Sequence, residues 1–178
     1  MSKKQYIAIT GATGGIGSEL VEQFIQKGYS VIGLDIQTEK LSELKEQFGN
    51  SFHGMTCDIT DKTQLIQTCD DIVKQFGTPE VWFNNAGVAD IKEFSEITED
   101  DFDATMDVNF RALVRATRYW VGKMEAANEG TIVNIASVAG HVASPALSSY
   151  VASKFAVVGF TQSLQMELEL QKSPVKLI

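Results

Sequence analysis

Short apolar runs alternate along this chain with longer segments in which apolar residues recur at the spacing of a helix face. The runs predict five β-strands, at 5–10, 29–34, 51–56, 81–83 and 131–135. The longer segments predict helices at 18–27, 39–48, 60–76, 98–120 and 150–171. Strands that alternate with helices are typical of a parallel sheet covered on both faces, so the sequence predicts an α/β fold with a doubly wound sheet.

Glycines and polar side chains directly follow each predicted strand. They are Gly11–Gly17, Asp35, Asp58, Asn84–Gly87 and Ser137, in chain order. Ligands of open α/β sheets bind in a crevice outside the carboxyl ends of the strands. The sequence therefore predicts a Rossmann-type, three-layer α/β/α fold with its site at that edge.

The first of these segments has the glycine spacing of a nucleotide-binding turn. Gly11, Gly15 and Gly17 fall where a strand must turn sharply, where backbone must approach a pyrophosphate, and where the next helix must pack closely. The spacing is G-x-x-x-G-x-G, and not the commoner G-x-G-x-x-G. A generic glycine-rich turn is the alternative interpretation.

Acidic residues after the second and third strands indicate which dinucleotide would bind. Asp35 can accept both ribose hydroxyls of NAD and would repel a 2′-phosphate, and neither Ile36 nor Gln37 supplies a compensating cation. We therefore expect NAD in preference to NADP. Asp58 could accept a hydrogen bond from the adenine amino group, but it could equally be a helix-capping carboxylate.

Tyr150 and Lys154 stand four residues apart in a predicted helix, so they share one face. An ammonium beside a phenol favours the phenolate, which suits proton transfer. Ser137 precedes the pair at the end of a predicted strand. The spacing by itself is common and could mark an ordinary helix face.

Composition excludes several other classes of protein. A formal net charge of −8 with no clustered basic face argues against a nucleic-acid partner. No stretch approaches the length of a membrane span, and the apolar run after Lys3 and Lys4 is too short for a signal-peptide core. Cys57 and Cys69 look like buried thiols and not a disulfide framework. These features predict a cytoplasmic protein.

The two histidines show no metal-ligand spacing. His53 and His141 are isolated in the sequence, and we interpret each as a surface or loop residue. The sequence predicts no metal site.

Three motifs together resemble the short-chain dehydrogenase/reductase family, in its core single-domain subtype, over essentially the whole chain. They are Thr10-Gly-x-x-x-Gly-x-Gly17, Asn84-Asn-Ala-Gly87 and Tyr150-x-x-x-Lys154. The resemblance implies a catalytic tetrad of Asn109, Ser137, Tyr150 and Lys154. The predicted cofactor-binding residues are Thr10, Gly11, Thr13, Gly15, Ile16, Gly17, Asp35, Asp58, Ile59, Asn85, Ala86, Gly87, Tyr150 and Lys154.

The resemblance also implies an oxidoreductase that transfers a hydride between NAD(H) and a secondary alcohol or ketone. Tyr150 would exchange the proton, and Ser137 would hydrogen-bond the same substrate oxygen. Lys154 would favour the phenolate and bind the nicotinamide ribose, while Asn109 would position a relay water. Resembling proteins pair their long helices, which implies a homodimer or homotetramer.

Residues 174–178 begin a sixth strand in which the chain stops. We therefore interpret 1–178 as a single dinucleotide-binding catalytic domain, truncated in that strand and without its C-terminal part. Members of the family normally continue into a segment that contacts the nicotinamide and a mobile substrate loop. The remaining pocket, 140–145 with Val88 and Ala89, is small and apolar, which mildly disfavours a polyanionic substrate.

Two other functions stay open at this point. One is a catalytically silent NAD-binding regulator or scaffold of the same fold. The intact set of Ser137, Tyr150 and Lys154 argues against it, and the missing C-terminal segment argues for it. The other is the extended branch of the superfamily, which acts on nucleotide sugars. The glycine spacing and the Asn-Asn-Ala-Gly element favour the shorter oxidoreductase subtype.

Overall fold

A computed structural model describes residues 5–178. The charged start of the chain, with Lys3 and Lys4, lies outside the described residues. Six strands are present: β1 Tyr6–Thr10, β2 Ser30–Asp35, β3 Phe52–Thr56, β4 Val81–Asn84, β5 Gly130–Asn134 and β6 Val175–Leu177. Six α-helices connect or follow them: α1 Gly15–Gln26, α2 Thr38–Phe48, α3 Lys62–Phe76, α4 Glu99–Met106, α5 Ala112–Ala127 and α6 Ser148–Leu170.

All six strands pair in parallel, in the order β3-β2-β1-β4-β5-β6. The strand order reverses between β1 and β4, so the connections after these two strands diverge and leave a crevice at their carboxyl ends. The predicted doubly wound α/β fold is confirmed. The sixth strand is also confirmed, and Val175–Leu177 pairs with β5 at one edge of the sheet.

Alternate residues of the central strands point to opposite faces of the sheet and pack into two separate hydrophobic layers. On one face, Ala8, Trp82 and Ile132 pack with side chains of α3 and α5. On the other face, Ile9 and Phe83 pack with side chains of α1 and α2. Burying a large apolar side chain contributes roughly 1.5–3 kcal/mol, so the two layers hold the strand ends in fixed relative positions.

Local signals set several helix ends where the sequence predicts them. Asp61 Oδ1 accepts the backbone N–H groups of Thr63 and Gln64 at 2.8 and 3.0 Å, which caps α3. Thr98 and Asp101 form a reciprocal capping box at the start of α4. Within residues 5–178, no helix is both long and apolar enough to cross a membrane.

The structure corrects two of the sequence predictions. The long helix predicted at 98–120 is interrupted, because a π-helical turn at Asp107–Arg111 separates α4 from α5. His53 is not a surface or loop residue: it lies half-buried in β3, with its ring 4.7 Å from that of Phe76 and 6.0 Å from that of Tyr6. Cys57 and Cys69 are both buried and free, as predicted.

Strand β3 forms the other edge of the sheet and is partly covered by a charged side chain. Lys45, in the last turn of α2, donates from Nζ to the carbonyl oxygens of Gly49 and Phe52 at 2.8 and 3.0 Å. The Phe52 carbonyl at the start of β3 is therefore already bound.

Gly33 in β2 gives a test of how tightly the sheet packs. A Cβ at this position would lie 2.6 Å from the Phe52 ring and 2.8 Å from the Ala12 methyl group. We expect Gly33→Ala to lower the free energy of unfolding by about 1–3 kcal/mol because it overpacks this layer. Urea unfolding monitored by Trp fluorescence measures the change.

Gly122→Ala is the matched control. Gly122 is exposed in α5, and a methyl group added to it would have no neighbouring atom within 4 Å, so alanine should raise stability by about 0.5–1 kcal/mol. Equal stability of the Gly33 variant and the parent protein would contradict the packing argument.

Candidate active site

The turn between β1 and α1 brings backbone close to the segment after β4. Gly11 has φ +65°, and a Cβ there would lie 2.8 Å from the Ala86 Cα, so only glycine fits. A Cβ on Gly17 would collide with the Gly11 carbonyl oxygen. The first intrahelical bond of α1 runs from Ser18 N–H to the Gly14 carbonyl at 2.8 Å, so the N–H groups of residues 15–17 have no intrahelical acceptor and are available to an anion.

Thr10 and Asn85 hold the two sides of this crevice together. Thr10 Oγ1 accepts the backbone N–H groups of Asn85 and Ala86 at 3.0 and 3.1 Å. In return, Asn85 Nδ2 donates to the carbonyl oxygens of Thr10 and Gly11 at 2.9 and 3.1 Å. These four bonds fix the glycine turn against the Asn-Asn-Ala-Gly segment.

Asp35 is buried at the end of β2, and backbone amides hold both of its oxygens. Oδ2 accepts from Thr13 N–H at 3.0 Å, and Oδ1 accepts from Gln37 N–H at 3.1 Å. The carboxylate therefore has a fixed orientation, while each oxygen keeps further acceptor capacity. Its position next to the glycine turn is the one predicted from the sequence.

Asp58 lies nearby on the surface and caps a turn, not a helix. Its Oδ1 accepts from the backbone N–H and the hydroxyl of Thr60 at 2.9 and 2.7 Å. Asp61 is the residue that caps α3, so the helix-cap alternative for Asp58 is wrong. Its contact with adenine stays a prediction.

A cavity of about 230 Å³ joins these elements. It is lined by Gly11, Gly14, Leu34, Asp35, Ile36, Gln37, Cys57, Asp58, Ile59, Thr60, Ala86, Gly87, Val88 and Val108. Glycines that allow backbone to approach the ligand, a helix N-terminus and an oriented carboxylate are the features of a dinucleotide-binding site. The residues of this cavity fit such a cofactor.

Asn109 reaches the site from the π-helical turn, a deviation that often occurs at functional positions. It is 1% exposed. Its side-chain amide hydrogen-bonds both the N–H and the carbonyl of Val88, a residue of the segment after β4. Oδ1 accepts from Val88 N–H, and Nδ2 donates to the Val88 carbonyl, each at 2.8 Å. Nδ2 also donates to Ser153 Oγ at 3.0 Å.

Lys154 is buried on α6, with 5% of its surface exposed. Its Nζ donates to the Ile135 carbonyl oxygen at 2.8 Å and lies 5.7 Å from the centroid of the Tyr150 ring. Burial lowers the pKa of the Lys154 ammonium, because desolvation disfavours the charged form. The predicted neighbours Tyr150 and Lys154 thus come together in the structure.

Ser137 and Tyr150 are both half-buried; Ser137 directly precedes the 3-10 turn Val138–Gly140, and Tyr150 lies in the first turn of α6. Ser137 Oγ accepts from Ala139 N–H at 3.1 Å, which leaves its own proton available to an acceptor. A Cβ on Gly140 would lie 2.9 Å from the Lys154 carbonyl oxygen. Gly140 therefore lets the Ser137 turn approach α6 closely.

Three polar residues that support this group are not among the predicted catalytic and cofactor-binding residues, although Asn84 belongs to the predicted Asn84–Gly87 motif. Asn84 Oδ1 accepts from Trp82 Nε1 at 2.7 Å, and Asn84 Nδ2 donates to Thr117 Oγ1 and Asn134 Oδ1 at 3.0 and 2.8 Å. Asn134 Nδ2 continues the network to Thr161 of α6 at 2.9 Å. Ser153, which is fully buried, is the third. The position of Asn84 and Asn134 at strand ends could have indicated that they support the site. A single sequence contains no feature that indicates the role of Ser153.

Known proteins match both the sequence and the architecture. A family model for short chain dehydrogenases matches residues 5–178. The 3-oxoacyl-[acyl-carrier-protein] reductase FabG of Thermotoga maritima is 34% identical over 163 residues, which are 90% of this chain and 66% of that protein.

Two solved structures contain nicotinamide cofactors. A short chain dehydrogenase/reductase from Burkholderia phymatum in complex with NAD has a TM-score of 0.92 and 28% identity, covering 99% of this chain and 65% of that one. A metagenomic short-chain oxidoreductase in complex with NADP has a TM-score of 0.91 and 26% identity, covering 98% and 80%. The chain spans 56% to 66% of the lengths of eight curated relatives.

The buried ammonium of Lys154 predicts a pH dependence of stability. Because its pKa in the folded protein lies below the value of about 10.4 in the unfolded chain, the unfolded state binds more protons between the two values. The contribution of Lys154 to stability should therefore rise with pH in that window. We expect the free energy of unfolding of the parent protein, relative to Lys154→Met, to increase as the pH rises towards about 10.

Urea unfolding of both proteins at several pH values measures this difference. Lys40→Met, at an exposed position of α2, is the control and should differ from the parent by an amount that varies little with pH. A difference for Lys154→Met that stays constant across the window would contradict the burial argument.

Proposed function

This chain belongs to the short-chain dehydrogenase family, and from that premise we propose that it transfers a hydride between NAD(H) and a secondary alcohol or ketone. One observation carries the proposal: a buried Lys154 ammonium lies over the Tyr150 ring and next to Gly87, a residue that lines the cavity suited to a dinucleotide. The chain spans only part of the length of its relatives, so the activity of the whole protein is itself a proposal.

Asp35 and its surroundings support NAD as the preferred cofactor. Its fixed carboxylate would accept the ribose hydroxyls and repel a 2′-phosphate. Among the described residues that line the cavity, none is lysine or arginine, so the lining offers no cation for that phosphate. The pyrophosphate would lie at the start of α1, near Thr13 and Ile16, and Asp58 with Ile59 would border the adenine.

The bound nicotinamide supplies or accepts the hydride, which no protein side chain can do. Tyr150 manages the proton: in alcohol oxidation its phenolate accepts the hydroxyl proton while the carbon loses hydride, and in ketone reduction its hydroxyl returns a proton to the oxygen. Ser137 donates a hydrogen bond to the same oxygen and stabilises the negative charge that develops there. Lys154, whose ammonium lies over the Tyr150 ring, would bind the nicotinamide ribose.

Asn109 and Lys154 both lie next to Gly87, where a water could take part in the proton relay. A Cβ added to Gly87 would lie 3.4 Å from Asn109 Oδ1 and 3.8 Å from Lys154 Nζ. Asn109 Oδ1 keeps one lone pair beyond its bond to Val88. A water at this place could accept from Lys154 and donate to Asn109, which is the relay that the family resemblance implies.

Association into a homodimer or homotetramer is part of the proposal. Helix α6 has 23 residues, of which only Ser149, Ser153, Lys154, Val157 and Leu168 are buried. Its outer face leaves Phe155, Met166 and Leu170 exposed by 45%, 64% and 83%. An apolar helix face of this kind suits packing against a second copy, and a monomer in light scattering would contradict it.

Tyr150→Phe tests the reaction itself. Removing the hydroxyl removes the proton donor and acceptor, so turnover should fall by about 100- to 10,000-fold while the NADH dissociation constant changes little. NADH oxidation with a panel of aliphatic, cyclic and aromatic ketones measures turnover, and NADH fluorescence measures binding.

Tyr119→Phe is the matched control, because Tyr119 donates to Asp70 on the helices away from the site and its loss should leave turnover intact. Full activity of the Tyr150→Phe variant would contradict the proposed mechanism. Tight NADH binding without turnover of any ketone or alcohol would favour the scaffold function instead.

Asp35→Ala tests the choice of cofactor. Loss of a charge-assisted hydrogen bond of about 1.5–3 kcal/mol should weaken NADH binding roughly 10- to 100-fold and reduce the discrimination against NADPH. Parallel fluorescence titrations with NADH and NADPH give both dissociation constants. Glu39 is an exposed acidic residue in the first turn of α2, and Glu39→Ala should change neither dissociation constant. Tighter binding of NADPH than NADH by the parent protein would overturn the preference for NAD.

A further inference from the structure

Ser153 occupies the interior of the site although it faces neither the cavity nor solvent. It lies between Tyr150 and Lys154 in α6 and is 0% exposed. Its Oγ donates to the Tyr150 carbonyl oxygen at 2.7 Å and lies 3.0 Å from Asn109 Nδ2. Neither proton exchange by Tyr150 nor the hydrogen bond from Ser137 to the substrate oxygen itself requires this hydroxyl.

The directions of these hydrogen bonds follow from the Val88 backbone. Its N–H must face the oxygen of the Asn109 amide, and its carbonyl must face the nitrogen. The contact between Asn109 and Ser153 is therefore donated by Nδ2 and accepted by Oγ. Because a hydroxyl has one proton, that proton goes to the Tyr150 carbonyl, and both N–H bonds of the Asn109 amide are occupied.

The result is a continuous link across the site, from Val88 through Asn109 and Ser153 to Tyr150. Val88 lines the cavity, next to Gly87. Tyr150 and Lys154 belong to the helical turn that contains Ser153. The link thus joins the wall of the cofactor cavity to the residues that exchange the proton.

We propose that Ser153 is a positioning residue that sets the spacing between the Tyr150–Lys154 turn and the cavity wall at Gly87 and Val88. It does so as the sole group in this link that both accepts from Asn109 and donates to Tyr150. The inference rests on the proposed oxidoreductase function, which it deepens by adding a residue behind the tetrad.

Alanine at position 153 removes both bonds and leaves a buried Asn109 N–H without its acceptor. The reacting groups would then shift relative to the cofactor, and small displacements of this kind cost about 10- to 100-fold in rate. The Asp35 end of the cavity would be unaffected. We therefore expect Ser153→Ala to lower kcat by about 10- to 100-fold, with less than about a threefold change in NADH affinity.

The experiment combines a structural and a kinetic measurement on the full chain. Hydrogen exchange of the Asn109 side-chain amide, observed by NMR on protein labelled at asparagine, reports the link without any substrate. We expect slow exchange in the parent protein and in Ser153→Thr, which keeps the hydroxyl, and fast exchange in Ser153→Ala. The kcat loss should be rescued by threonine in the same way. Ser163→Ala, at an exposed position of α6, is the matched control and should match the parent.

Several outcomes would overturn the assignment. Unchanged amide exchange and kcat in Ser153→Ala would show that the hydroxyl is dispensable. Equal losses in stability, NADH affinity and kcat that threonine fails to rescue would show a merely structural role. If the alanine variant does not fold, Ser153→Cys, which keeps the volume but is a weak acceptor, takes its place with the same criteria. If the parent protein binds NADH but turns over no substrate, the proposed function fails, while amide exchange still decides whether the link exists.

Discussion

Burial of one ammonium group, that of Lys154, constrains most of the architecture around it. A charge removed from water needs close hydrogen-bond partners, and here the Ile135 carbonyl at the end of β5 accepts at 2.8 Å. To reach that carbonyl, α6 must lie directly beside the turn after β5, and Gly140 permits the approach because a Cβ would meet the Lys154 backbone. The hydrogen bond of this lysine thus requires α6 to lie close to the end of β5.

Polar contacts of the same kind connect the other parts of the site. Thr10 and Asn85 tie the glycine turn to the segment after β4, and Asn109 ties that segment to α6. Each of these residues is at least half-buried, where an unpaired donor or acceptor would cost about 1–3 kcal/mol. The satisfied network therefore fixes the relative positions of two strand ends and two helices, which apolar packing alone leaves free to slide.

The sequence allowed the fold and the location of the site to be predicted, because alternating strand and helix patterns and strand-end motifs are local signals. The interruption at Asp107–Arg111 could not be predicted, since Phe102, Met106, Phe110 and Leu113 recur as they would in a continuous helix. Tertiary contacts of Asn109 with Val88 and Ser153 accompany that interruption, and such contacts leave no periodic trace in one sequence. The start of α3 near residue 60 was predicted, whereas the choice between Asp58 and Asp61 as its cap depended on backbone geometry.

Lys45 has a consequence for the behaviour of the protein at high concentration. Its ammonium donates a hydrogen bond to the Phe52 carbonyl oxygen of the edge strand β3. A strand from another molecule would have to displace a charged side chain, which also ends α2 favourably, before it could pair there. Resistance of this edge to aggregation is therefore provided by the same side chain that stabilises the end of a helix.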